Sequence, residues 1–299
     1  MSIDLAWMRA EAPYMPIVTV GLLSVLEATE ADVAAGWERG PSGDLLRLYT
    51  ALDADKVAQA VIDAPWPVVA DVAWGDVKPS QGLKPTLKGE PDPIVALQEI
   101  GAASSEPERT FLRAVLTDGV RDNDGIPQRS RLLRGVKADL SSPALRPKKL
   151  SAESLAAELV DGSEFRSGSS GLGLGFVPEV QTFGGTTGPD PSGVGAYSPL
   201  LFLLLWHGLL ALPPVTVRRG PRRAVGGSLV TAPDVLSWPR WRYRVGLPAL
   251  RALLSWAEIH RDVPDQHTLT ARGVDRVYRA RAVPLNSMIA AYRWGERVG

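Results

Sequence analysis

The sequence predicts an α+β protein with a helix-rich core, short strands and long Pro/Gly loops. Two nearly uninterrupted apolar stretches, 16–28 (PIVTVGLLSVLEA) and 199–212 (PLLFLLLWHGLLAL), each open at a proline and read as core helices. Around them, 25 Pro and 29 Gly cut the 299-residue chain into short segments, several rich in β-branched and aromatic residues. Hydrophobic content of 45% and charged content of 22% are those of a globular chain, which excludes disorder as an overall description.

The elements follow in order. Pro16 fits the first turn of a helix over 16–28, where its missing N–H costs nothing. The β-branched Ile17, Val18, Thr19 and Val20 leave a strand open for the first half. Trp37 and the Leu45-Leu46 pair flank a Gly/Pro-rich turn at 40–43, and 53–64 reads as an amphipathic helix capped by Asp53. Five prolines within 65–92 predict short strands around 68–74 and then a long loop. Phe111, Leu112, Val115 and Leu116 share one side of an expected helix over 106–119, with Gly119 as its stop.

Residues 121–150 read as a basic loop, and Ser151 caps a helix over 151–160. Residues 161–198 are Gly-, Ser- and Pro-rich. They read as a loop or boundary between an acidic N-terminal part (1–160) and a basic C-terminal part (199–299), with a single intimately packed domain as the alternative. The apolar stretch 199–212 is shorter than the roughly 20 residues of a membrane span, so no membrane partner is expected. A basic loop is expected over 218–227, a Trp/Arg segment over 237–248, a helix over 249–260, a strand near Val277-Tyr278 and a last helix near 286–294.

Charge is segregated. Residues 1–120 carry 9 Lys+Arg against 18 Asp+Glu, and residues 218–299 carry 15 Arg against 6 acids. Such asymmetry points to nucleic acid, or to two ends that neutralise each other. With no cysteine, disulfides, thiolate metal sites, iron–sulfur clusters and cysteine nucleophiles are excluded. His207, His260 and His267 lack the spacing of a metal pair, so neither a metal nor another cofactor is expected. The loop SGSSGLGLGF (167–176) has neither the Lys-Ser/Thr ending of a phosphate loop nor a full nucleophile elbow, and no catalytic residue is assigned. No export signal is visible, so the expected compartment is the cytoplasm.

The candidate binding residues are arginines. Arg240, Arg242 and Arg244 interleave with Trp238, Trp241 and Tyr243, combining bidentate phosphate donors with rings that stack on bases. In a strand, the three arginines would share one face, and Trp241 and Tyr243 the other. Arg218, Arg219, Arg222 and Arg223 add a cluster before this segment, and Arg129, Arg131, Arg134 and Lys137 form a second patch.

Four stretches resemble proteins of subtype I-G CRISPR systems, formerly called I-U. They are PYMPIVTVGLLSVLE, SPLLFLLLWHGLLALP, LSWPRWRYRVGLPALRALLSW and GVDRVYRARAVPLNS. The resemblance implies a component of an RNA-guided antiviral system. It would be either a large-subunit-like protein of the surveillance complex or a member of the accessory family named as an extension of the helicase–nuclease. No helicase or HD-nuclease motif is present, so the effector nuclease is excluded. The expected function is a non-catalytic subunit that contacts RNA or DNA and other CRISPR-associated subunits. Two alternatives stand beside it: an enzyme with a site at the Gly/Ser loop, and a protein-only scaffold anchored by Trp238 and Trp241.

Overall fold

From the N-terminus the chain runs β1 (Ser2–Leu5), α1 (Met15–Glu27), β2 (Ala34–Gly40), β3 (Gly43–Tyr49), α2 (Ala54–Asp63) and α3 (Pro93–Ala103). Then come β4 (Leu116–Arg121), β5 (Pro127–Arg129), α4 (Ala152–Asp161), β6 (Arg166–Gly168), β7 (Gly195–Tyr197) and α5 (Pro199–Ala211). The last third holds β8 (Pro214–Arg219), β9 (Arg222–Gly227), β10 (Val235–Trp241) and α6 (Leu247–Ser255), with a 3-10 turn over Ala257–His260. It ends with α7 (Gln266–Ala271), β11 (Val274–Pro284), β12 (Ala290–Tyr292) and β13 (Glu296–Val298). The chain is an α+β protein. This computed structural model describes residues 1–5, 7–30, 32–40, 43–65, 91–106, 109, 112, 116–121, 127–129, 150–161, 166–168, 195–212, 214–219, 222–227, 235–284, 290–292 and 294–298.

The helices begin where local chemistry satisfies their free N–H groups. Asp53 accepts from Lys56 N–H (2.9 Å), Asp92 from Ile94 N–H (2.9 Å), and Ser151 from Ser154 N–H (3.2 Å). At α5, Ser198 accepts from Leu201 N–H (3.0 Å), while the buried Glu158 of α4 accepts from the Ser198 hydroxyl (3.0 Å) and Leu200 N–H (3.1 Å). A carboxylate at a helix N-terminus also meets the positive end of the helix dipole. Residues 16–20 are helical, not extended. Thr19 is accommodated there because its hydroxyl donates to Met15 C=O (2.8 Å).

α1 and α5 are apolar on nearly every face and pack on each other at the centre. A sheet of order β1-β3-β2 meets α1 through β2; Leu46 and Leu48 of β3 are buried, with Arg47 between them turned outward. A second sheet is built on β11, with β10 antiparallel to it and β12 and β13 also paired to it. One apolar cluster runs from Ile3 to Tyr292, taking residues from the acidic and the basic part alike. The two parts also share backbone bonds: Ala35 and Val245 exchange N–H···O=C pairs at 2.9 Å each.

Four expectations need correction. The helix expected to reach Gly119 is a strand from Leu116 onward, because pairing with β5 overrides the local apolar spacing. The basic loop over 218–227 is the β8–β9 hairpin. The helix over 249–260 ends at Ser255 and resumes as a 3-10 turn. Residues 290–292 of the last expected helix are a strand on β11. Helix α3 was not anticipated, although Asp92-Pro93 is a start signal for it. The strands expected around 68–74 lie outside the described residues. No helix among the described residues is long and apolar enough to cross a membrane.

Candidate nucleic-acid interface

Strand β10 decides where the Trp/Arg segment points. Its register against β11 runs regularly from Val235↔Arg281 to Arg240↔Arg276 and then jumps to Trp241↔Val274, so Asp275 is an extra residue on the partner strand. Such a bulge breaks the strict in-and-out alternation. Trp238 and Trp241, three apart, are both buried. Trp238 donates its indole N–H to Ala10 C=O (2.8 Å), and Trp241 donates to Ala35 C=O (3.1 Å). Neither indole is available as an interface anchor, which corrects the expectation that these two residues anchor a partner. Pro239 is tolerated because β10 pairs on one side only.

Arg240 is a structural residue. Its side chain is 12% exposed and bonds Asp275 of β11 through Nη1 and Asp44 of β3 through Nη2 (2.8 Å). Its guanidinium also lies 5.8 Å from the Trp37 ring centroid. The expectation that Arg240 joins Arg242 and Arg244 on one phosphate-binding face is corrected: its charge is committed to two carboxylates.

Past the bulge the chain bends outward, and Arg242, Tyr243 and Arg244 are all exposed. Arg242 N–H donates to Gly273 C=O (2.8 Å), which ties the bend to the turn before β11. Tyr243 is 68% exposed rather than packed inward beside Trp241. The Arg244 guanidinium lies 3.6 Å from the Tyr49 ring centroid. Tyr49 in turn donates its hydroxyl to Glu38, and burial first, then that bond, raise the phenol above its ordinary value. Arg272, also exposed, sits over the Trp256 ring at 4.9 Å. Arg272 stood outside the expected contacts; the Arg-Gly pair before a strand is the sequence trace of the turn that sets it beside Tyr243.

The second arginine cluster lies on the β8–β9 hairpin. Arg218 stands directly opposite Arg223, and Arg219 opposite Arg222, at the end where residues 220 and 221 connect the strands. Strand β4 runs beside both β8 and β9. The β4–β5 hairpin carries Arg121, opposite Pro127, and Arg129, opposite Leu116. Arg129 therefore sits on the strand paired with β4, the strand that neighbours the arginine hairpin. Arg131, Arg134 and Lys137 lie outside the described residues.

Of the Gly/Ser loop, Ser167 and Gly168 belong to β6, paired with Ala196 and Gly195, and residues 169–176 lie outside the described residues. Among the described residues no group of three His, Asp or Glu side chains is placed to hold a metal ion. Comparison with protein-family models, with curated proteins and with solved structures finds no match to this chain.

Proposed function

We propose that this chain is a non-catalytic, nucleic-acid-associated subunit of a prokaryotic CRISPR antiviral system, binding the phosphate backbone of RNA or DNA and docking partner subunits. The observation that carries the nucleic-acid reading is the pairing of Arg218 with Arg223 and of Arg219 with Arg222 across one hairpin. Like charges directly opposite on neighbouring strands are destabilising, so two such pairs in succession burden the fold. Phosphates laid along the hairpin offset that repulsion and gain bidentate contacts. Arg129 stands on β5, the partner of the strand β4 that neighbours this hairpin. The assignment to a CRISPR system rests on the resemblance of the four apolar and Trp/Arg stretches.

The test is the salt dependence of binding to labelled RNA and DNA oligonucleotides. Each phosphate contact contributes about 0.7–0.9 to the slope of log affinity against log salt. Replacing Arg218, Arg219, Arg222 and Arg223 by Gln together is expected to weaken binding and flatten the slope by up to about 3 units. An unchanged slope removes the hairpin from the interface. A tagged preparation from the native host is expected to carry short RNAs of uniform length and companion subunits; a preparation with neither removes the CRISPR assignment.

A further inference from the structure

We infer that Tyr243 is a stacking platform for an unpaired base, which makes single-stranded RNA or DNA the preferred ligand; the inference rests on the nucleic-acid reading above. Tyr243 is the one aromatic residue among the described large apolar side chains that stand exposed. Its position is built. Gly273 has φ +74°, a conformation side-chain-bearing residues rarely adopt, and a Cβ there would lie 2.6 Å from both Cδ2 and Cε2 of the Tyr243 ring. The ring is therefore braced against bare backbone along one edge, while 68% of the residue stays open to solvent. The bond from Arg242 N–H to Gly273 C=O fixes the chain just before it. A ring held in place before the ligand arrives forfeits little freedom on binding.

The surroundings fit a polyanion with exposed bases. Arg242 and Arg244 flank the ring in sequence, and Arg272 adjoins the glycine that braces it. Arg244 and Arg272 are steadied on Tyr49 and Trp256, with their residues still exposed. None of the three makes an ion pair with a described carboxylate. The carboxylates of this region are engaged elsewhere: Glu38 with the Tyr49 hydroxyl, Asp44 and Asp275 with Arg240. A base laid on the phenol puts the phosphates on either side within the reach of guanidinium groups, the pattern by which single strands are held without sequence preference. In a duplex the base faces are already stacked, and the ring has nothing to receive.

The experiment is fluorescence anisotropy with labelled oligouridine, oligothymidine and a blunt duplex of matched length, using wild type, Tyr243→Ala and Tyr243→Phe. Tyr243→Ala is expected to weaken single-strand binding by about fivefold to a hundredfold while duplex affinity stays within about twofold, and Tyr243→Phe is expected to keep the wild-type preference. Tighter binding of oligouridine assigns the site to RNA, and tighter binding of oligothymidine assigns it to DNA. Equal single-strand affinity of wild type and Tyr243→Ala overturns the inference alone and leaves the arginine hairpin standing. An equal loss on single strand and duplex also overturns it, because the ring then serves the backbone contact. A wild type that binds none of the probes overturns the nucleic-acid reading and this inference with it, and leaves the exposed Tyr243 to a protein partner.

Discussion

Gly21 and Gly208 meet backbone to backbone where α1 and α5 pack together. A Cβ on Gly21 would lie 2.0 Å from Leu204 O and 2.8 Å from Gly208 N, and a Cβ on Gly208 would lie 1.9 Å from Ile17 O. Both obstacles are main chain, so neither can swing aside; the helices themselves would have to part. Gly21→Ala and Gly208→Ala are each expected to cost about 3 kcal/mol or more, the upper end for overpacked cores. Urea unfolding measures this. Gly101→Ala is the control: it lies in α3, its Cβ would meet nothing within 4 Å, and it is expected to stabilise by about 0.5–1 kcal/mol through helix propensity. A neutral Gly21→Ala would mean the two helices are not in backbone contact.

Arg240 and Arg242 are two apart and carry the same charge, yet the fold gives them opposite fates. Arg240→Ala leaves Asp44 and Asp275 facing each other without their cation. The expected cost is about 2 kcal/mol, below the roughly 3–5 kcal/mol of a fully buried pair, because Asp44 keeps some contact with water. Arg242→Ala is expected to leave stability within about 0.5 kcal/mol and to weaken nucleic-acid binding. Thermal unfolding and oligonucleotide titration on the same two variants separate the roles, and a stable Arg240→Ala protein with weakened binding would reverse them.

The arginine hairpin sets function against stability. Replacing Arg223 by Thr removes the repulsion with Arg218 and places a β-branched residue in a strand. The expected result is a gain of up to about 1 kcal/mol in unfolding free energy, together with weaker binding at low salt. Loss of both stability and binding would show that the arginines are held by partners within the fold instead of repelling one another.

The helix starts were legible because their chemistry is local. Asp53 and Ser151 are caps written beside the helices they begin, and the apolar runs of α1 and α5 admit no surface position. The strands were less legible, because pairing is decided at a distance. Leu116 fits a helical spacing with Leu112, yet its partner is Arg129. The run Arg218-Arg219 and Arg222-Arg223 reads as a loop until the register sets the four positions opposite one another in two pairs. At the candidate site, the carboxylates that hold Arg240, Asp44 and Asp275, both lie on other strands. Nothing in the segment 237–244 itself announces that Arg240 turns inward and Tyr243 outward.

Glu30 offers a test of the N-terminal sheet by acid. Its carboxylate accepts from the Thr50 hydroxyl (2.5 Å) and Ala51 N–H (2.7 Å), tying the end of β3 to the segment after α1. These bonds, that from Thr50 first, hold its pKa below the ordinary glutamate value. The unfolded chain therefore takes up the proton at higher pH than the folded one. The stabilisation from Glu30 is complete above the unfolded value of about 4.3, and it drains away as pH falls through that value toward the lower folded one. Asp4, held down by Arg47, and the helix caps Asp53 and Asp265, held down by the groups they accept from, act in the same direction. Glu30→Gln keeps acceptor oxygen for only one of the two bonds and carries no titrating proton. It is expected to be less stable than wild type at neutral pH, with the gap in urea midpoint closing as pH falls through and below the ordinary glutamate value. A gap that stays constant across that range would show that the ionised carboxylate is not what holds the strand end, since a neutral contact would survive acid unchanged.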